Sequence, residues 1–191
     1  MPGWSAVANW CAHVNGVNPS PAMRAWLTDR ASLTAKLITR CERFRVQRLA
    51  QRRAVCLLDE YAPIGLPQPR KVVERDVLLQ CDGRTMVFAH TVVPLDATAT
   101  QWPLFRSLGE RSLGSTLFGD PIVMRGALEY ARLHAGHPLV RRAGAAIEFA
   151  SEAASEVSAP LFARRCLYRR KGGVLLVTEL FLPAISTLHN I

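Results

Sequence analysis

Two β-rich runs on either side of Asp82-Gly83 constrain the fold of this chain more than any other feature. Residues 71–94 have the sequence KVVERDVLLQ-CDGR-TMVFAHTVVP. Asp-Gly between two such runs is typical of a type I′ turn, whose twist suits a pair of antiparallel strands. The pattern therefore predicts a β-hairpin and, with it, an antiparallel sheet.

A second hairpin is predicted near the C-terminus. The segment FARRCLYRRKGGVLLVTELFLP is expected to turn at Lys171-Gly172-Gly173 and to end at Pro183. Short helices are predicted after Ser20-Pro21 and in SLTAKLITRC, and helix or turn in RSLGSTLFGD. IVMRGALEYARLH is compatible with a strand or a helix. Together these elements predict an α+β fold, a single antiparallel sheet with helices on one side.

The length of 191 residues suits one domain, spanning residues 1–191. Residues 134–160 are rich in Ala, Ser and Gly and carry Pro138 and Pro160, so we expect a peripheral insertion there. No apolar run approaches the roughly 18–20 residues that a membrane span needs, and no basic region precedes an apolar run at the N-terminus. A cytoplasmic protein without stable membrane insertion is expected.

Cysteine, histidine and charge patterns narrow the possible partners. The five cysteines are scattered and form no CxxC pair, which favours reduced thiols over a disulfide framework or a metal site. The net charge of +9 comes almost entirely from arginine. Arginines can bind nucleic acid phosphates, but no recognition helix or aromatic-basic motif accompanies them. We therefore expect no nucleic acid partner, and one or two arginines suffice to bind an anionic small molecule.

Two charged residues lie where apolar ones are expected. Glu179 is the only acidic residue in LLVTELFLPA, and both faces of that predicted strand are apolar. Arg75 shares one face of its predicted strand with valine and leucine side chains. One interpretation is a buried Arg75–Glu179 salt bridge, with a purely structural role. The other is a closed apolar cavity in which Arg75 binds a ligand carboxylate and Glu179 binds a hydroxyl or moves a proton.

The blocks LLVTELFLPA, VVERDVLLQCDGRTMVFAHTVVP and RSLGSTLF resemble the chorismate lyase family over residues 20–133 and 161–185. The resemblance implies a sheet with helical flaps over an enclosed ligand cavity. It also implies a lyase that converts chorismate to 4-hydroxybenzoate and pyruvate, the step that supplies ubiquinone biosynthesis. No metal or organic cofactor is expected, and a monomer is expected.

The resemblance also implies particular site residues. Arg75 and Glu179 fall on the family's ligand-contacting arginine and carboxylate. Leu113 falls on a leucine that contacts the ligand mainly through its backbone, and Leu33 on a contact from an early helix. We therefore expect Arg75 and Glu179 to be catalytic, and Leu33, Arg75, Leu113 and Glu179 to bind substrate.

The chain departs from the family at the residues before TVVP. The family commonly has Gly-Arg there, whereas this chain has Ala89-His90. If that arginine binds ligand anions, His90 must replace it or the contact is lost. The alternative function is a UTRA-type effector-binding domain without catalysis, because such domains resemble this fold.

Overall fold

The computed structural model describes residues 6–149 and 160–188. Six strands form one antiparallel sheet in the order β1-β2-β3-β6-β5-β4. The strands are β1 (Phe44–Val55), β2 (Lys71–Cys81), β3 (Arg84–Pro94), β4 (Met124–Leu133), β5 (Leu161–Arg170) and β6 (Gly173–Phe181). The predicted α+β class with a single antiparallel sheet is confirmed.

Both predicted hairpins are present. The first turn has the expected backbone, whereas the second has two residues, Lys171-Gly172, instead of the predicted three, because Gly173 already pairs with Arg170. Asp82 and Gly83 have φ of 52° and 82° and join Cys81 to Arg84. Positive φ at both central residues is the property of a type I′ turn. Lys171 and Gly172 repeat it at 48° and 79°. Asp82-Gly83 therefore marks the turn between β2 and β3, and Lys171-Gly172 marks the turn between β5 and β6.

Within the described residues, four helices pack on the sheet: α1 (Pro21–Leu27), α2 (Leu33–Ile38), α3 (Leu113–Gly119) and α4 (Pro138–Phe149). Short 3-10 turns cover Val14–Val17, Leu95–Ala97, Pro103–Ser107 and Pro183–Thr187. The predicted helix starts are confirmed, since the side chains of Ser20 and Ser32 accept hydrogen bonds from the first turns of α1 and α2.

The two faces of the sheet carry separate cores. Helices α1–α3 cover one face, where Trp26, Leu27, Leu33, Leu37 and Leu117 are buried. Helix α4 covers the other face with four buried side chains, Leu139, Val140, Ala143 and Ile147. Residues 138–149, part of the segment 134–160 in which we expect an insertion, thus contribute to a core. Residues 150–159 of that segment lie outside the described residues. No helix in the described ranges has both the length and the apolar character needed to cross a bilayer.

Candidate active site

A small cavity lies between the sheet and the helices α2 and α3. Its volume is about 50 Å³. Its walls include residues from α2 and α3, from the loops before these helices and from all six strands. The polar members of this lining are Thr34, Thr91, Ser112, Arg125, Arg164, Tyr168 and Glu179. The remaining lining is mostly apolar, which is typical of a small-molecule site with a few converging polar groups.

Helices α2 and α3 meet over this cavity as two flaps. The hydroxyl groups of Thr34 and Ser112 lie 2.6 Å apart and share a hydrogen bond across the flap junction. Gly114 permits this close approach, because an added Cβ would lie 3.1 Å from Oγ1 of Thr34. A polar contact between small side chains therefore joins the two flaps.

Glu179 forms an ion pair with Arg164 at the floor of the cavity. The two residues are directly opposite in the β5–β6 register. Nε of Arg164 donates to Oε2 of Glu179 at 2.5 Å. The Arg164 side chain is 2% exposed and that of Glu179 is 19% exposed. The carboxylate thus remains accessible from the cavity while its partner is fully enclosed.

Arg164 also connects the sheet to the segment between α1 and α2. Its NH1 group donates to the backbone carbonyls of Trp26, Leu27 and Asp29 at 3.0, 3.3 and 2.7 Å. A charged donor shared by a carboxylate and three carbonyls is well satisfied despite its burial. Arg164 therefore orients Glu179 and fixes the chain that leads into the first flap.

Arg75 is 1% exposed and lies on the cavity side of β2, as predicted. Its NH2 group donates to the carbonyls of Gly109 and Arg111, each at 3.0 Å, in the loop before α3. Burial, and secondarily the charge of Arg48, lowers its pKa to about 10. Its Nε has no hydrogen-bond partner among residues 6–149 and 160–188. The guanidinium therefore holds the loop that carries Leu113 and keeps an unused donor.

The structure brings three of the four predicted site residues to the cavity. Leu33, Leu113 and Glu179 line it, whereas Arg75 is absent from the described lining and contacts the adjoining loop. The structural alternative of an Arg75–Glu179 bridge is not observed, because Glu179 pairs with Arg164 and Arg75 with carbonyls. In the β2–β3–β6 register, Arg75 aligns with Thr91 and Val177, so two strand spacings separate it from β6.

His90 faces away from the cavity. It is 1% exposed on the α4 side of the sheet, and its Nδ1 lies 2.5 Å from Oδ1 of Asp76. Its Nε2 lies 3.0 Å from Oε1 of Glu60, close but not aligned as a hydrogen bond. Glu74 and Asp76 on the same face pair with Arg142 of α4. His90 therefore does not supply a cavity contact, and Ala89 lines the cavity in its place.

The sequence interpretation missed six polar residues of the cavity lining: Thr34, Thr91, Ser112, Arg125, Arg164 and Tyr168. Burial raises the pKa of Tyr168 well above its ordinary value, so its hydroxyl stays neutral. The position of Arg164 could have been predicted, because a two-residue turn at Lys171-Gly172 sets a strand register in which Arg164 lies opposite Glu179. The position of Arg125 could not, because an irregularity in β4 decides which face it occupies.

Fold and site together define an α+β domain with a flap-covered cavity for a small molecule. The effector domain of PhnF from Mycobacterium smegmatis has this fold, with a TM-score of 0.51 and 15% identity over 81% of this chain and 90% of that one. The structure of PhnF from the same organism gives a TM-score of 0.53 at 14% identity, over 86% of this chain and 69% of that one. Likeness at such identity concerns the fold alone.

Sequence comparison is more specific. The profile of the chorismate lyase family matches residues 6–191. A probable chorismate pyruvate-lyase of Ralstonia nicotianae is 45% identical over 161 residues, 84% of this chain and 81% of that protein. One from Dechloromonas aromatica is 39% identical over 181 residues, 95% of this chain and 98% of that protein. The chain belongs to the chorismate lyase family.

Proposed function

We propose that the protein converts chorismate to 4-hydroxybenzoate and pyruvate. The observation that carries this proposal is Glu179, a carboxylate that reaches an otherwise largely apolar cavity under two flaps. The family's name and the names of the relatives point to the same substrate. We further propose that the protein is a monomer and that it releases 4-hydroxybenzoate for ubiquinone biosynthesis, as the family resemblance implies.

The reaction places modest demands on the protein. The bond between ring carbon 3 and the enolpyruvyl oxygen breaks, the hydrogen on ring carbon 4 leaves as a proton, and the ring becomes aromatic. The released enolpyruvyl group gains a proton and becomes pyruvate, so all atoms are accounted for. Aromatisation supplies much of the driving force. The protein therefore needs chiefly to position the substrate and to stabilise charge.

Glu179 and Arg75 have the principal roles in this proposal. Glu179 either hydrogen-bonds the ring hydroxyl or assists removal of the ring proton. Transfer of that proton within the substrate to the enolpyruvyl methylene is the alternative to removal by the protein. Arg75 binds the ring carboxylate with the donors left over from its two loop carbonyls. Leu33 packs on the ring, and the backbone at Leu113 helps to hold the carboxylate.

Binding requires the flaps to separate. An engineered protein cavity of roughly 150 Å³ holds benzene, so a cavity of about 50 Å³ is too small for a substituted ring. Breaking the Thr34–Ser112 contact lets α3 and its preceding loop move, and this movement extends the cavity toward Arg75 under that loop. Closure then excludes water from the reacting groups.

The cysteines favour a cytoplasmic location for the protein. All five are free thiols, and Cys56, Cys81 and Cys166 are buried. This pattern suits a reducing compartment. Cell fractionation with an antibody to the protein tests the placement, and recovery with the membrane pellet would argue against it.

A direct assay separates catalysis from effector binding. Purified protein is incubated with chorismate, the reaction is quenched with acid, and both products are measured. The proposal expects 4-hydroxybenzoate and pyruvate in equal amounts, well above the spontaneous rate. Saturable chorismate binding without products would favour the effector-binding alternative.

A further inference from the structure

Arg125 stands out among the charged residues of the cavity. The cavity lining contains two guanidinium groups and one carboxylate: Arg125, Arg164 and Glu179. Arg164 and Glu179 neutralise each other. The Nε group of Arg164 is committed to Glu179 and its NH1 group to three backbone carbonyls. The described lining therefore has a net charge of +1, because its two guanidinium groups face one carboxylate, which is paired with Arg164.

The guanidinium of Arg125 is held in place by its surroundings. It lies 5.2 Å from the ring centre of Phe118 on α3 and 5.9 Å from that of Tyr168 on β5. Its NH1 group donates to the backbone carbonyl of Arg30, in the segment before α2. Its Nε is buried and has no hydrogen-bond partner in the described parts of the chain. A fixed planar group with an unused donor is suited to bind a carboxylate.

A β-bulge places Arg125 in the cavity. Arg125 pairs with Tyr168 and Leu128 pairs with Cys166, so three steps on β4 match two steps on β5. In a regular strand, residues three apart face opposite sides. Here both side chains lie on the cavity side, where Leu128 joins the core. Bulges commonly redirect a side chain in this way near functional sites.

Gly126 makes the bulge possible. A Cβ at this position would lie 2.9 Å from the backbone carbonyl oxygen of Leu167, which is a distance that real side chains essentially never adopt. Glycine at position 126 therefore fits the backbone geometry that points the Arg125 side chain into the cavity.

We propose that Arg125 binds the second carboxylate of the substrate, the one on the enolpyruvyl group. This assignment rests on the proposed function, which supplies a substrate with two carboxylates. Arg75 is on β2 and Arg125 is on β4, at opposite sides of the sheet order. Arg125 lines one wall of the cavity and Arg75 lies beside the cavity under the loop before α3, so the two groups are separated as a ligand with two carboxylates requires. The product 4-hydroxybenzoate has lost the second carboxylate, so Arg125 distinguishes substrate from product.

The test compares a ligand with one carboxylate to a ligand with two. Calorimetry measures the affinity of 4-hydroxybenzoate and of 3-(carboxymethoxy)benzoate, an unreactive ring with a second carboxylate on a meta ether. The variants are Arg125→Gln, Arg125→Lys and the control Arg132→Gln. Arg132 is a matched control because it lies on the same strand, is exposed and stacks over the ring of Phe162 at 5.0 Å.

Arg125→Gln is expected to lower the affinity for 3-(carboxymethoxy)benzoate by roughly 10- to 100-fold and to leave the affinity for 4-hydroxybenzoate almost unchanged. Arg125→Lys is expected to fall between wild type and Arg125→Gln, because lysine keeps the charge but loses the planar fork. With chorismate, KM should rise more than kcat falls. Arg132→Gln should match wild type in every measurement.

Two results would overturn the assignment. One is an equal loss of affinity for both ligands, which would mean that Arg125 shapes the whole cavity. The other is an unchanged affinity for the dicarboxylate. Because the binding measurements need no turnover, absence of lyase activity in the wild type would refute the proposed function without deciding the role of Arg125.

Discussion

Glu179 and Arg164 lie directly opposite each other on β6 and β5, and their charged groups meet at 2.5 Å. The carboxylate that reaches the cavity is thereby oriented by a guanidinium that also holds the chain between α1 and α2. The position of the proposed catalytic carboxylate and the anchoring of the first flap depend on the same side chain.

Replacing Arg164 should destabilise the fold strongly. Arg164→Met removes the ion pair and leaves three backbone carbonyls without their donor. Breaking a buried ion pair by removing one partner costs about 3–5 kcal/mol. The lower end is expected, because Glu179 keeps some contact with solvent. Urea denaturation measures the free energy of unfolding, with Arg132→Met as the exposed control. A loss no larger than that of the control would contradict this role.

Arg75→Ala tests whether Arg75, the buried charged residue on β2, contributes to catalysis or to folding. The variant should lose activity on chorismate by roughly two orders of magnitude or more, since a buried bidentate donor would be gone. The protein should remain folded, because no buried carboxylate is left unpaired; the lost partners are the carbonyls of Gly109 and Arg111. Circular dichroism and activity are measured on the same preparation. Unfolding of the variant would instead support a structural role.

Gly126→Ala should disturb the bulge in β4. The added methyl group would lie 2.9 Å from a backbone oxygen, and overpacking of this kind costs roughly 1–3 kcal/mol. Gly119→Ala is the matched control, since a methyl group added there would meet nothing within 4 Å. Thermal unfolding compares the two variants. If Gly126→Ala were as stable as Gly119→Ala, the close approach of β4 to Leu167 would not constrain this residue.

His90 should make the free energy of unfolding decrease as the pH becomes alkaline. Burial lowers its pKa, but the charge of Glu60 and the hydrogen bond and charge of Asp76 outweigh burial and raise it from 6.5 to about 10. A raised pKa in the folded state contributes stability that is complete below the unfolded value, about 6.5, and lost as the pH rises through about 10. The free energy of unfolding should therefore decline across this range.

His90→Gln isolates that contribution. The difference in unfolding free energy between wild type and His90→Gln should shrink as the pH rises from about 6.5 to about 10. His134→Gln, at an exposed residue, is the control substitution. A difference between wild type and His90→Gln that stays constant with pH would show that His90 is not charged in the folded protein.

The sequence predicted the sheet well because its turns are encoded locally. Asp82-Gly83 and Lys171-Gly172 supply the positive φ angles of two-residue turns, and the turns determine which strands pair. The exact register was harder. With the turn predicted as Lys171-Gly172-Gly173, a change of one residue decides whether Arg164 or Arg165 lies opposite Glu179.

The candidate site was less predictable for the same reason. Leu33, Leu113 and Glu179 do line the cavity, but Arg125 reaches it only because β4 contains a bulge. Strict alternation along a strand does not reveal such an irregularity. The hydrogen-bond partners of Arg75 could not be predicted either. They are backbone carbonyls of a distant loop, which every residue type carries.

The most direct test of the central claim is the turnover of chorismate by wild type and by Glu179→Gln. Acid-quenched samples are analysed for both products at several times. Wild type should form 4-hydroxybenzoate and pyruvate in a one-to-one ratio, and Glu179→Gln, which keeps a hydrogen-bonding side chain of the same size, should form both much more slowly. Wild-type product formation at only the spontaneous rate, or equal rates in the two proteins, would contradict a lyase reaction at Glu179.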